Sequence, residues 1–223
     1  MPIITTDNLC RVFKSGSDTV HAVDCVNLSV EEGGLTILRG RSGSGKTTLI
    51  NLLGALDRPT SGTIHFCGSE ISSLPEKTLV GLRRKEMGFV FQSFALLSLL
   101  SAFENVEFPL RLNGLPPKQR EKRVAECLGM VGLAKRMSHR PSELSGGEQQ
   151  RVAVARAVVH HPKVIFADEP TAQLDTHMAL QVMRVLREVA TREKVTVVMT
   201  THDPNLMELA DQVYTLEDGR IVE

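Results

Sequence analysis

The run Gly40-Arg41-Ser42-Gly43-Ser44-Gly45-Lys46-Thr47 constrains the fold of this chain more than any other stretch. It fits the pattern Gly-x-x-x-x-Gly-Lys-Ser/Thr, follows the apolar segment Leu35-Thr36-Ile37-Leu38, and runs into a helical pattern beginning at Thr48. Strand, glycine-rich turn and helix in that order make a cradle for phosphate. The glycines allow successive N–H groups to turn toward one anion, and the helix presents its positive dipole end to the same place. In such a cradle Lys46 reaches the β- and γ-phosphates of a nucleoside triphosphate, and Thr47 reaches a magnesium ion.

The rest of the chain supplies the sheet such a loop requires. Val26, Leu28 and Val30 alternate with polar residues, predicting a half-buried strand, and Gly33-Gly34 turns the chain toward Leu35. Helical spacing of Val124, Cys127, Leu128 and Val131 predicts a helix over 118–130. The strand Val164-Ile165-Phe166-Ala167, a helix with Met178, Val182, Val185 and Val189 on one face, and a strand over 195–199 then follow. Tyr214-Thr215-Leu216 and Arg220-Ile221-Val222 flank Asp218-Gly219, a hairpin signal. Apolar strands alternating with amphipathic helices predict an α/β fold with a mostly parallel sheet. The expected organisation is a single domain over 1–223. Residues 1–92 and 152–223 form its nucleotide-binding core with a β subdomain, and 93–151 form an inserted α-helical subdomain.

Charge and cysteine content narrow the partners. Lys plus Arg equals Asp plus Glu at 26 each, so no global basic field exists to hold nucleic acid. The amino terminus lacks the pattern of a secretory signal, and the uncharged stretch 87–103 is too short and too polar for a good spanning helix. Cys10, Cys25, Cys67 and Cys127 show neither a Cys-x-x-Cys pair nor metal-ligand spacing, so buried thiols are expected. His160-His161, just before Pro162, reads as helix-end polar residues.

Asp168 and Glu169 stand at the end of the strand over 164–167, where ligands of open α/β sheets sit. Phosphoryl transfer to water needs one acid to hold magnesium and a second group to orient or deprotonate the attacking water, which suits Asp168 and Glu169 in turn. His202 follows the next apolar strand, where a neutral imidazole can hydrogen-bond a γ-phosphate oxygen. Ser145-Gly146-Gly147-Glu148 opens a long helical run and makes a second helix N-terminus able to meet phosphate.

With these motifs in this order the chain resembles the ATP-binding cassette ATPases over essentially its whole length. The resemblance implies a P-loop (RecA-like) core, ATP and Mg²⁺ as ligands, and a head-to-tail dimer. In that dimer each ATP lies between the phosphate loop of one copy and Ser145, Gly146, Gly147 and Glu148 of the other. It also makes Gln92 a glutamine that touches magnesium and the attacking water, and Phe13 the ring that stacks on adenine, with a core role for Phe13 as the competing reading. Thr171-Ala172-Gln173-Leu174-Asp175 looks like the dimer-interface loop, with Gln173 departing from the usual Asn or Gly. The segments 89–97, 104–106 and 167–171 look like the branch containing lipoprotein-release, macrolide-efflux, antimicrobial-peptide-resistance and haem-export ATPases. That branch implies peripheral attachment at the cytoplasmic face of the inner membrane, through an integral-membrane permease with an extracytoplasmic domain. A regulatory cassette controlling cell-wall hydrolases is the alternative. Phe94, Leu96, Leu97, Leu99 and Leu100 are expected to divide between helical-lobe core, at least half of them, and an exposed groove for a permease helix.

Overall fold

In the computed structural model, which describes residues 1–16 and 18–222, the amino-terminal part is antiparallel β-structure. Strand β1 (Pro2–Ser15) pairs with β2 (Asp18–Val26) and β3 (Ser29–Glu31). Next come β4 (Leu35–Arg39), buried over its first four residues, and α1 (Lys46–Leu53). β5 (Ser61–Phe66) returns to β1, followed by β6 (Ser69–Glu70), α2 (Glu76–Glu86) and β7 (Met87–Val90). Helices α3 (Ala102–Leu112), α4 (Pro117–Met130) and α5 (Gly146–Val158) precede β8 (Val164–Asp168) and α6 (Thr176–Glu193). β9 (Thr196–Thr201), β10 (Gln212–Glu217) and β11 (Arg220–Ile221) complete the described elements.

The chain divides into two compact units, Met1–Arg83 with Thr196–Glu223, and Arg84–Val195. In the first, β10, β4 and β9 run parallel, with Arg39 level with both Thr201 and Thr215. The chain therefore leaves β4 and β9 by the same edge, and that shared exit positions the site. β11 turns back on β10 through Asp218 and Gly219, both at positive φ (47° and 79°), as the sequence hairpin signal predicts. In the second unit β7 and β8 are parallel, with Val90 level with Ala167, and α5 packs on β7 and on α3, α4 and α6. Gly88 is required where β7 meets α5, because a Cβ there would strike the carbonyl of Ala157.

Four expectations need correction. Val26 and Val30 do not share a strand: the chain breaks at 27–28, where the buried Leu28 exchanges hydrogen bonds with Thr6, its N–H donating to the Thr6 hydroxyl at 3.0 Å. On α6 the buried stripe is Ala179, Val182, Met183, Leu186 and Val189, leaving Met178 and Val185 half-buried. Of the cysteines only Cys127 is buried, with its thiol pushed up to about 12 by burial. Cys10 is half-buried, and Cys25 and Cys67 are exposed. None of Phe94, Leu96, Leu97, Leu99 and Leu100 is buried, and Leu97 and Leu99 are 44% and 80% exposed.

Candidate nucleotide site

In the first unit, the loop after β4 is shaped by backbone that side chains cannot follow. Gly43 and Gly45 have φ of 81° and 100°, and a Cβ on Gly45 would strike the carbonyl of Ala22. Lys46 is 5% exposed and folds back over the loop, its Nζ donating to the carbonyls of Gly40 and Arg41 at 2.9 Å each. No side chain caps α1 and its first turn carries no acid. Its N-terminal N–H groups and dipole therefore point into the loop with no carboxylate of their own helix to neutralise them. The buried hydroxyl of Ser44 has no hydrogen-bond partner, an atom that a phosphate oxygen would satisfy. Residues 40–44 line a cavity of about 620 Å³ together with His202, Pro204, Met207 and residues 215–218. His202, exposed just beyond β9, is thus gathered with the loop, because β4 and β9 end level. Thr47 and Thr48 lie in the first turn of α1.

Phe13 is 40% exposed and carries the Arg11 guanidinium over its ring, 4.4 Å from the centroid. Arg11 is held from behind by Asp57 through two hydrogen bonds of 2.8 and 3.0 Å. The ring is therefore outside the core.

The second unit gathers Gln92, Asp168 and Glu169 on one edge, since β7 and β8 are parallel and end together. Gln92 is exposed, and Asp168 and Glu169 are half-buried. Glu169 has φ of 43°, a left-handed conformation uncommon outside glycine, which re-aims its side chain relative to the strand before it. Behind it, the fully buried Gln150 donates from Nε2 to the carbonyl of Pro170, tying α5 to this strand end.

Ser145 caps α5 through a reciprocal box. Its hydroxyl accepts from the Glu148 N–H at 3.3 Å, and the Glu148 carboxylate accepts from the Ser145 N–H at 2.9 Å. The Ser145 N–H holds Glu148 below its ordinary value against a smaller opposing effect of burial, and Arg136 at 3.2 Å assists. Gly147 lies under α6, where a Cβ would collide with the Met178 side chain. In the loop after Pro170, Asp175 caps α6 by accepting from the Met178 N–H at 3.0 Å, and Gln173 is exposed.

Two supporting residues escaped the sequence reading as supports. Asn105, wholly buried, accepts from the Leu97 N–H at 2.8 Å and donates to the carbonyls of Leu97, Leu100 and Ser101. Arg156 donates to the carbonyls of Phe94 and Ala95, both at positive φ. Together they fix the segment that leaves Gln92, through partners that local pattern does not reveal.

A phosphate loop on a parallel sheet, with paired acids at a strand end and a second glycine-led helix start, defines a P-loop nucleoside triphosphatase of the cassette type. The family model for ABC transporters matches residues 23–172, and the chain belongs to that family. An uncharacterized ABC transporter ATP-binding protein, MJ1508 of Methanocaldococcus jannaschii, is 42% identical over 221 residues, covering 99% of this chain and 98% of that protein. The macrolide export ATP-binding/permease protein MacB of Bradyrhizobium diazoefficiens is also 42% identical over 221 residues; the chain spans only 34% of its length. The dimeric structure of MJ0796, a bacterial ABC transporter cassette, superposes with a TM-score of 0.91 at 38% identity, covering 99% of this chain and 97% of that one. The same cassette in a post-hydrolysis state bound to ADP and Pi gives 0.90. The protein is an ATP-hydrolysing cassette with the P-loop α/β fold.

Proposed function

We propose that the chain is the ATPase subunit of a membrane complex of the export or extraction type, working as a nucleotide-sandwich homodimer on an integral-membrane permease with an extracytoplasmic domain. In this reading attachment is peripheral, through the permease; no helix among the described residues is long and apolar enough to cross a membrane. The observation that carries the reading is the second helix N-terminus at Ser145. One phosphate loop already serves one triphosphate, so a further glycine-led helix start finds its use on the nucleotide of another copy.

Within this reading, the α1 N-terminus and Lys46 hold the β- and γ-phosphates, and Phe13 offers an apolar face to the adenine. Glu169 accepts a proton from the attacking water while His202 donates to a γ-phosphate oxygen. The Thr47 hydroxyl, the Gln92 amide oxygen and the Asp168 carboxylate are the hard oxygen donors that suit Mg²⁺, which when bound neutralises charge on the phosphates. Closure of two copies around ATP, and reopening after hydrolysis, supplies a movement to the permease. Leu97 and Leu99, exposed just beyond Gln92, support contact with that partner.

Complementation tests the sandwich. Lys46→Ala and Ser145→Arg chains, each inactive alone, regain ATPase activity on mixing, because the mixed dimer holds one site with both halves intact. A mixture as inactive as its components overturns the head-to-tail arrangement.

A further inference from the structure

Apart from the nucleotide cavity, a second cluster of reactive side chains lies in the amino-terminal sheet. Leu9 pairs with Val26 and Arg11 with Val23, so Asp24 and Cys25 of β2 together face the single residue Cys10 of β1. This two-against-one arrangement is a β-bulge, which re-aims side chains at the point of insertion. Cys25 adopts φ of 51° there, and its N–H donates to Cys10 Sγ at 3.3 Å. The two sulfurs stand 3.7 Å apart, and one Asp24 oxygen lies within 4.8 Å of both. None of the three residues lines the nucleotide cavity.

We propose that Cys10, Cys25 and Asp24 form a binding site for one thiophilic divalent cation, of the Zn²⁺ or Cd²⁺ class. The spacing carries this. Two thiolates at about 2.3 Å from a tetrahedral zinc ion are separated by about 3.8 Å, the length of a tetrahedral edge. The observed 3.7 Å matches that edge, whereas a disulfide requires a separation of about 2.0 Å. Two soft sulfurs and one carboxylate select zinc or cadmium over magnesium, so the site does not compete for the ion that accompanies ATP. Cys25 and the half-buried Asp24 leave the cluster open to solvent, where water completes the coordination.

The protonation states agree. Burial raises the Cys10 thiol, but the Cys25 N–H, the Ser61 hydroxyl and the Cys25 side chain together outweigh it and the net shift is downward. Cys25 is held above its ordinary value, foremost by its hydrogen bond with Cys10. Binding of the ion releases the thiol protons of the pair to solvent. Asp24 is kept charged by Arg220, which reaches one oxygen, Oδ2, at 2.6 and 2.8 Å. A carboxylate has a second oxygen to offer the metal.

The test uses the full chain, tag-free, reduced and stripped by chelation, titrated with Cd²⁺ under excess Mg²⁺. Ultraviolet thiolate-to-metal charge-transfer absorption and equilibrium dialysis provide the readouts. One Cd²⁺ per chain with a charge-transfer band is expected, abolished in Cys10→Ser and in Cys25→Ser, and weakened on the order of tenfold in Asp24→Asn. Cys67→Ser leaves binding unchanged. A thermal melt of each variant verifies folding. Absence of a band in the wild type, or binding that survives in Cys10→Ser or follows Cys67, overturns the proposal.

Discussion

Replacing Asn105 gives a sharp test of how the segment after Gln92 is held. The side chain is wholly buried, accepts one hydrogen bond from Leu97 and donates to three carbonyls between Leu97 and Ser101. Each buried hydrogen bond contributes a net of about 0.5–1.5 kcal/mol. The three donated bonds share two N–H hydrogens, and the loop they serve carries Leu97 and Leu99 at the surface, where water can re-satisfy part of the backbone. Asn105→Ala is therefore expected to destabilise the chain by roughly 2–4 kcal/mol. Asn105→Asp is nearly isosteric and keeps the acceptor for the Leu97 N–H, yet it sets a carboxylate against three carbonyl oxygens in a buried place. It is expected to cost more than alanine, despite preserving the volume. Urea denaturation followed by circular dichroism measures both, and the order of midpoints is Asn above Ala above Asp. If the Asn105→Asp variant matched the wild type, or the alanine variant lost under about 0.5 kcal/mol, the network would not be holding the loop.

Further outcomes follow from other sites. Glu169→Gln keeps ATP binding while turnover falls on the order of 10²–10⁴, roughly 3–5 kcal/mol of barrier, read by phosphate release alongside a nucleotide-binding assay. Gly45→Ala drives a methyl into the Ala22 carbonyl at φ of 100°, so loss of nucleotide affinity is expected in filter binding, with the helical unit intact by hydrogen exchange. Glu193→Gln leaves the half-buried Arg123 without its carboxylate partner at 2.7 Å and is expected to lower stability by about 2–3 kcal/mol. Burial raises the Glu193 carboxyl, but Arg123 and His161 outweigh it and its folded value lies below 4.5. The stabilisation is full above 4.5 and lost as pH falls through the folded value, which a pH series of melts of the two proteins will show.

Local pattern made the loop, the strand over 164–167, the helix over 118–130 and the final hairpin readable, because each depends on residues adjacent in sequence. Asp218-Gly219 dictates its own turn, and the lysine loop needs only its glycines and flanking strand. What the sequence could not show lies in partners far apart along the chain. Arg156 reaches carbonyls sixty residues away, and Cys10 meets Cys25 only because a bulge between β1 and β2 departs from strict alternation. Reading the cysteines by spacing missed that meeting, since metal-ligand spacing rules describe ligands on one turn or loop. The α6 stripe slipped by one position at Met178 and Val185 for a related reason: several neighbouring apolar positions satisfy helical spacing, and only tertiary packing chooses among them. At least half of Phe94 and the leucines after Gln92 are expected in the core by pattern, yet none is buried; an irregular, turn-containing segment tied down by Asn105 and Arg156 can leave apolar side chains outside.

The two helix starts that face phosphate in the proposed cycle are finished differently, and the difference fits when each meets its anion. α1 has no side-chain cap and no acid in its first turn, and in the proposed cycle its start faces the nucleotide bound by the same chain. α5 instead closes a box in which Ser145 and Glu148 satisfy the N–H groups of the cap residue and of the third helical residue. That leaves the N–H groups of Gly146 and Gly147, the two positions between; Gly146 is half-buried, and Gly147 is buried beneath the Met178 side chain. A helix start that meets its anion only when a second copy closes must stay stable while the dimer is open, and the box supplies that stability. Glu148 therefore belongs to the permanent cap, with its carboxylate held by Ser145 and Arg136, and in the proposed cycle the half-buried Gly146 is the position of this helix start left open to the nucleotide of the other copy.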